Sequence, residues 1–146
     1  LREAGHRPTA FEAAGEVGGI WAPEPANSVV YRGLTTNIPT VAMQSFDLDF
    51  PNGLPSYVRG SDLGDYIAAY ADHFGLRPLI RFGTEVTSVM PGPGDASWTV
   101  RSRGSAGEAQ ERFDAVVVAK GHYDEPYAPE IPGQAAWLAA DSSRTV

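Results

Sequence analysis

With 146 residues, 42% of them hydrophobic, the chain has the length and apolar content of one packed domain rather than of a disordered tail. A formal net charge of −7 with no cluster of Lys and Arg leaves no electrostatic footprint for nucleic acid or an anionic membrane surface. There is no cysteine, so disulfides and thiolate metal sites are excluded, and a reducing, cytoplasmic setting is the expectation. No apolar run approaches the roughly 20 residues of a membrane helix; other forms of membrane association stay open.

The opening LREAG reads as the end of a helix on a glycine C-cap. With no initiating Met, the chain reads as a fragment cut inside that helix. RPTAFE alternates and carries β-formers, which predicts a short strand from about Pro8 to Glu12. Helix end, loop and strand make the second half of a βαβ unit. GEVGGIWAPEPANS is too rich in Gly and Pro for either periodicity and reads as a long loop of the kind that carries function. From Val29 to Val58 short apolar pieces alternate with Asn, Pro and Gly, predicting brief strands or turns at most.

SDLGDYIAAYADHFG is the clearest element. Leu63, Tyr66, Ile67, Tyr70, Ala71 and Phe74 follow helical spacing and mark one apolar face. Ser61 is the expected N-cap, Asp62 and Asp65 lie near the positive end of the helix dipole, and Gly75 is the expected stop. LIRF, TEVTSVM, SWTVRS and AQERF then follow as short strands joined by turn residues, an antiparallel meander. AVVVA, residues 115–119, wants cover on both faces, as in the interior of a parallel sheet. The loop after it stands where α/β folds keep ligands. The expected class is therefore α/β: a partial Rossmann-like domain with a parallel sheet and an antiparallel β-meander, lacking its first strand and Gly-rich turn.

Several residues could carry chemistry. Glu12 closes the strand of the half βαβ unit; it reads either as a solvated carboxylate or as the acceptor for a ribose diol. Gly18 and Gly19 allow close approach of backbone to a ligand, and Trp21 could pack on a flat ring or in the core. Thr35, Thr36 and Asn37 offer donors and acceptors of both kinds, or form an ordinary turn. His73 reads as a surface residue of the helix, while His122 after Gly121 is either a site residue or packs on Tyr123. No His and carboxylate pair has ligand spacing on a helix, so no metal is expected, and no nucleophile elbow or phosphate loop is present.

The ordered pieces FE, GGIW, VYRGLTTNIP, a DFP past a Met, YADHFGL, RFGTEVTSV and FDAVVVAKGHYDEPYAPEIPG resemble the flavin-containing monooxygenase family, its N- and S-oxygenating branch in particular. The resemblance runs from Leu1 to about Gly133 and implies two dinucleotide-binding domains, one for FAD and one for NADPH. It also implies reduced flavin that forms a hydroperoxide with molecular oxygen and oxidises small molecules bearing a nucleophilic nitrogen or sulfur. By position, Glu12 would hold the adenosine ribose of FAD, and Gly19, Ile20 and Trp21 would line the flavin loop. Thr36 and Asn37 would lie near the isoalloxazine and nicotinamide, with Asn37 the catalytic residue supporting the oxygenated flavin. Val86 would meet adenine through its backbone, and Gly121 would lie at the turn toward the NADPH domain.

Two departures stand out. Lys120 occupies the position where ATGHY has Thr, and the tail WLAADSSRTV offers only Trp137 in rough register. The resemblance thus divides the chain into a partial FAD-binding domain, 1–133, and a divergent tail, 134–146, toward an NADPH domain. The fragment alone is expected to be inactive. Two alternatives accompany this reading: a non-enzymatic FAD-fold relic, and a pyridine nucleotide-dependent flavoprotein reductase, which usually needs the cysteine pair this chain lacks.

Overall fold

The computed structural model describes residues 1–22, 30–31, 33–92, 94, 97–121, 127 and 129–140. His122 and Tyr123, most of the loop after Trp21 and the end of the tail lie outside the described residues. Among those described, the elements are β1 (Ala10–Phe11), a 3₁₀ turn (Gly19–Trp21), α1 (Thr40–Met43), α2 (Gly60–His73), β2 (Ile80–Arg81), β3 (Glu85–Pro91), β4 (Trp98–Gly104), β5 (Gly107–Phe113) and α3 (Gln134–Ala139). A second 3₁₀ turn, Arg77–Leu79, leads into β2.

Helix α2 forms where its apolar periodicity predicts it. Leu63, Tyr66 and Ala71 turn inward and are buried, and Val58, just before the helix, is fully enclosed. Trp21, Met43, Leu48, Phe50 and Ile67 pack around Val58, Leu63 and Tyr66. The Phe50 ring stacks on Tyr66 with centroids 3.9 Å apart. The helix begins two residues earlier than expected. Arg59, not Ser61, is the N-cap, and the Asp62 carboxylate accepts the Arg59 N–H at 3.0 Å. At the other end Leu76 N–H reaches Ala71 O (2.8 Å) and Gly75 N–H reaches Asp72 O (3.1 Å), with Gly75 at φ +57°. These two bonds and a left-handed residue are the Schellman arrangement, which satisfies carbonyls that a helix end leaves open. The same pair recurs at the front of the chain, where His6 N–H bonds Leu1 O and Gly5 N–H bonds Arg2 O. LREAG therefore has the geometry of a helix end.

Sheet formation departs from expectation in two places. LIRF does not enter the meander: β2 pairs in parallel with β1, Ala10 opposite Ile80 and Phe11 opposite Arg81. The meander proper is β3-β4-β5, antiparallel throughout, with a register shift between Val86 and Ser88. The backbone joins the two sheets, because Thr84 N–H bonds Glu12 O at 2.9 Å and Gly83 N–H bonds Ala14 O at 2.9 Å. The segment after β1 thus runs beside the approach to β3.

The second departure is AVVVA. Residues 115–119 form no strand, and Val117 and Val118 are 80% and 74% exposed. A run this apolar becomes an interior strand only when neighbours bond both its edges and helices cover both faces. The parallel sheet among the described residues is a pair of two-residue strands, too small to supply either. The composition stated a preference that this chain's own contacts do not meet.

Candidate functional site

The residues singled out from the sequence gather into two groups. The first is centred on Glu12. Its N–H bonds Arg81 O at 3.1 Å and its carbonyl accepts from Thr84, so the backbone is held between β2 and β3. One carboxylate oxygen, Oε1, accepts the Ala14 N–H at 2.8 Å, which aims the half-buried side chain into the bend that follows β1. Oε2 makes no hydrogen bond among the described residues. Val86 lies two residues along β3 from Thr84, opposite Ser102, with its side chain 40% exposed. The link through Thr84 is what brings Glu12 and Val86 together.

The second group surrounds the first turn of α2. Gly18 and Gly19 both take positive φ (+127° and +54°), and the chain tightens there into the 3₁₀ turn that contains Ile20 and Trp21. Trp21 is half-buried and packs against the core. Next to it, Gly60 N–H bonds Leu34 O at 2.9 Å, Thr35 bridges Arg59, and Thr36 N–H bonds Val58 O at 2.8 Å. The Thr36 hydroxyl is buried and accepts the Val58 N–H at 3.2 Å. This bond gives it a structural task. Asn37, the next residue, is exposed and its carboxamide makes no hydrogen bond among the described residues. Alternation does the sorting: Thr36 is turned in and spent on the backbone, while Asn37 is turned out and available.

Gly121 belongs to neither group. It is exposed, and nothing lies within 4 Å of where a Cβ would stand. His73 is also exposed, with its ring edge-on to Phe74 at 4.7 Å, as a surface helix residue should be. Two open hollows of about 280 Å³ each lie elsewhere, one on the meander beside Arg101 and Glu108, the other beside Asp62 and Asp65 of α2. Neither is lined by a residue of the two groups.

Ion pairs among the described residues lie along the surface. Arg81 binds Glu111, Arg77 binds Asp72, and Arg103 lies between Glu85 and Glu108. The hydrogen bond from Arg77, ahead of its charge, holds the Asp72 carboxyl below its usual 3.8. The bond to Glu111 likewise pushes the Arg81 guanidinium further up, so it is charged at any working pH. None of these pairs touches Glu12 or Asn37. Sequence reading assigned Gly60 and Gly64 no role; the signal was their i, i+4 spacing on α2.

Comparison with known proteins decides the family. The FMO-like family, described as flavin-binding monooxygenase-like, matches residues 2–137. The chain belongs to this family. Among curated relatives, the flavin-containing monooxygenase FMO GS-OX3 of Arabidopsis thaliana is 32% identical over an alignment of 160 residues, covering 94% of this chain and 34% of the relative. Dimethylaniline monooxygenase [N-oxide-forming] 2 of Mus musculus is 32% identical, over 90% of this chain and 26% of the relative. Of solved structures, the S-allyl-L-cysteine S-oxygenase from Allium sativum superposes with a TM-score of 0.78 at 31% identity, over 89% of this chain and 34% of that one. An oxidized steroid monooxygenase bound to NADP gives 0.72 at 29%, over 92% and 25%. The chain spans about a third of the length of the plant relatives it matches. The family read from the ordered motifs is thus confirmed, as is the mixed α/β fold. Among the described residues no helix is long and apolar enough to cross a membrane.

Proposed function

We propose that this chain is the greater part of an FAD-binding domain, residues 1–133, in a monooxygenase that uses FAD and NADPH to oxygenate small molecules with a nucleophilic nitrogen or sulfur. The observation that carries the reading is the family match along residues 2–137, which includes both residue groups described above. The donor set fits the cofactor. Glu12 has a carboxylate oxygen without a partner among the described residues, suited to a ribose diol, the usual service of an acid closing this strand. Asn37 presents an exposed amide and carbonyl with no partner among the described residues, suited to hydrogen-bond the polar edge of a flavin or nicotinamide. Bound flavin, once reduced by NADPH, supplies the oxygen chemistry; the protein supplies orientation and exclusion of water.

Within that division of labour each residue has a local task. Glu12 accepts hydrogen bonds and fixes the adenosine end, and the backbone of Val86 lies alongside it. Gly19, Ile20 and Trp21 form the wall of the flavin loop, and Thr36 holds the strand segment that presents Asn37. Asn37 donates a hydrogen bond at the reacting end and is the catalytic residue of this chain. Gly121 and Lys120 sit at the turn toward the NADPH domain, with residues 134–146 leading into it.

The test is purification of the whole protein carrying this chain, followed by absorbance and turnover. The expected result is a yellow protein with bound FAD and NADPH-dependent oxygen uptake driven by a tertiary amine or a thioether. Asn37→Ala should retain FAD while substrate oxygenation falls relative to NADPH consumption. A colourless wild-type protein that binds no added FAD would sink the reading, and the isolated 146-residue chain should show no turnover.

A further inference from the structure

Gly60 and Gly64 stand one turn apart on α2, and both face the 3₁₀ turn that carries Trp21. A Cβ on Gly64 would lie 2.2 Å from the Trp21 carbonyl oxygen and 3.3 Å from the carbonyl carbon. A Cβ on Gly60 would meet Val30 Cγ1 at 2.8 Å and the Trp21 ring at 3.4 Å. At Gly64 the obstacle is backbone, so no side-chain rotation relieves it and the whole turn would have to move. The same turn of α2 holds the other wall: Gly60 N–H bonds Leu34 O and Arg59 bridges Thr35, immediately before Thr36 and Asn37.

We infer that Gly64, assisted by Gly60, is a positioning residue for the flavin: its missing side chain seats the Gly19–Trp21 turn against α2 and so sets the spacing between that turn and the Thr36–Asn37 segment. This rests on the FAD reading above. Gly64 touches no cofactor; it acts through the main chain of Trp21. Helix propensity favours Ala over Gly at an interior helical position, so a glycine here runs against the helix's own preference and points to the close approach as its reason.

The experiment compares Gly64→Ala with Ile67→Ala in the whole protein. Ile67 packs on the same core from the same helix, and its own side chain rather than a close backbone approach fills that space, so its truncation tests core stability. Gly64→Ala should weaken FAD binding about ten-fold or more and alter the visible circular dichroism of the flavin that remains. Ile67→Ala should lower the melting temperature while leaving the FAD affinity and the dichroism near wild type. Equal loss of FAD in both variants, or unchanged affinity and dichroism in Gly64→Ala, overturns the inference while the FAD reading stands. A wild-type protein without FAD overturns both. If Gly64→Ala does not fold, Gly60→Ala decides: it should lose FAD affinity, and adding Val30→Ala, which removes the 2.8 Å clash, should restore it. Failure of that rescue counts against the seating of the turn.

Discussion

Arg81, the last residue of β2, grips Glu111 of β5 with both terminal nitrogens of its guanidinium, Nη2 donating to Oε2 at 3.0 Å, while its Cζ lies 5.2 Å from the centre of the Phe11 ring. Phe11 in turn meets Phe113 edge-on at 5.9 Å. These four residues clasp the two-stranded parallel sheet to the far strand of the meander. The clasp matters for function because Glu12 follows Phe11 directly, so its position depends on how the two sheets are held.

Arg81→Ala should therefore cost more than an ordinary surface ion pair. An exposed pair contributes about 0.2–1 kcal/mol and a cation over an aromatic face about 0.5–1 kcal/mol, so a loss of about 1–2 kcal/mol is expected. Arg81→Lys should recover only part, since an ammonium cannot grip both carboxylate oxygens. Urea unfolding of the three proteins checks this, and the wild-type advantage should shrink at high salt.

Tyr66 is the pin of the loop before α2. Its hydroxyl accepts the Ser45 N–H at 2.8 Å and donates to Leu48 O at 2.6 Å, closing the turn across which Ser45 and Leu48 pair. Tyr66→Phe keeps the stack on Phe50 and removes only those two bonds. Leaving two partly buried backbone groups without partners should cost about 1–3 kcal/mol. The change should appear as a lower urea midpoint with an unchanged slope, because the buried surface is the same.

Much of this arrangement was legible in the residues, and the exceptions have physical causes. Helix α2 declared itself through period and glycine stop because both signals are local. The ends of LREAG and of α2 share one capping geometry for the same reason. LIRF was misplaced because a four-residue apolar run states strand propensity but not its partner, and pairing with Ala10 and Phe11 is a contact across some seventy residues of sequence. AVVVA failed for the opposite cause: its composition describes an environment, and the described neighbours do not build it. In the candidate site, Glu12, Trp21 and Asn37 were readable as chemistry-bearing types in an ordered set of motifs. That Thr36 is inward and Asn37 outward needed the bridge from Thr35 to Arg59, which no local pattern encodes. Gly64 escaped notice because a glycine pair on a helix means nothing until the backbone that fills it is in place.

Asp72 and Arg77 offer a pH-dependent contribution. Asp72 lies in the last turn of α2, where the helix dipole disfavours a carboxylate, and the Arg77 hydrogen bond overrides this and lowers its pKa from the usual 3.8. A group with a depressed folded pKa adds stability above its unfolded value, and that stability is lost as pH falls through the folded one. Arg77→Met should thus melt below wild type at neutral pH, and the two curves should converge once pH drops beneath 3.8. A gap between the two proteins that persists unchanged well below pH 3.8 would show that it does not come from the Asp72 charge.

Neighbouring substitutions at Thr36 and Asn37 should separate structure from chemistry. Thr36→Val keeps the shape but takes away the acceptor of the buried Val58 N–H, which should cost about 1–3 kcal/mol. Thr36→Ser restores the oxygen and should recover most of the loss. Asn37→Ala removes an exposed side chain with no hydrogen bond among the described residues, so stability should change by no more than about 0.5 kcal/mol. Any defect of Asn37→Ala should then appear in the ratio of substrate oxygenated to NADPH consumed, measured in the whole protein at saturating FAD. Thr36→Val at the same FAD level should show that defect only to the extent that it displaces Asn37. An Asn37→Ala protein that unfolds earlier yet couples normally would reverse the assignment and make Asn37 a structural residue.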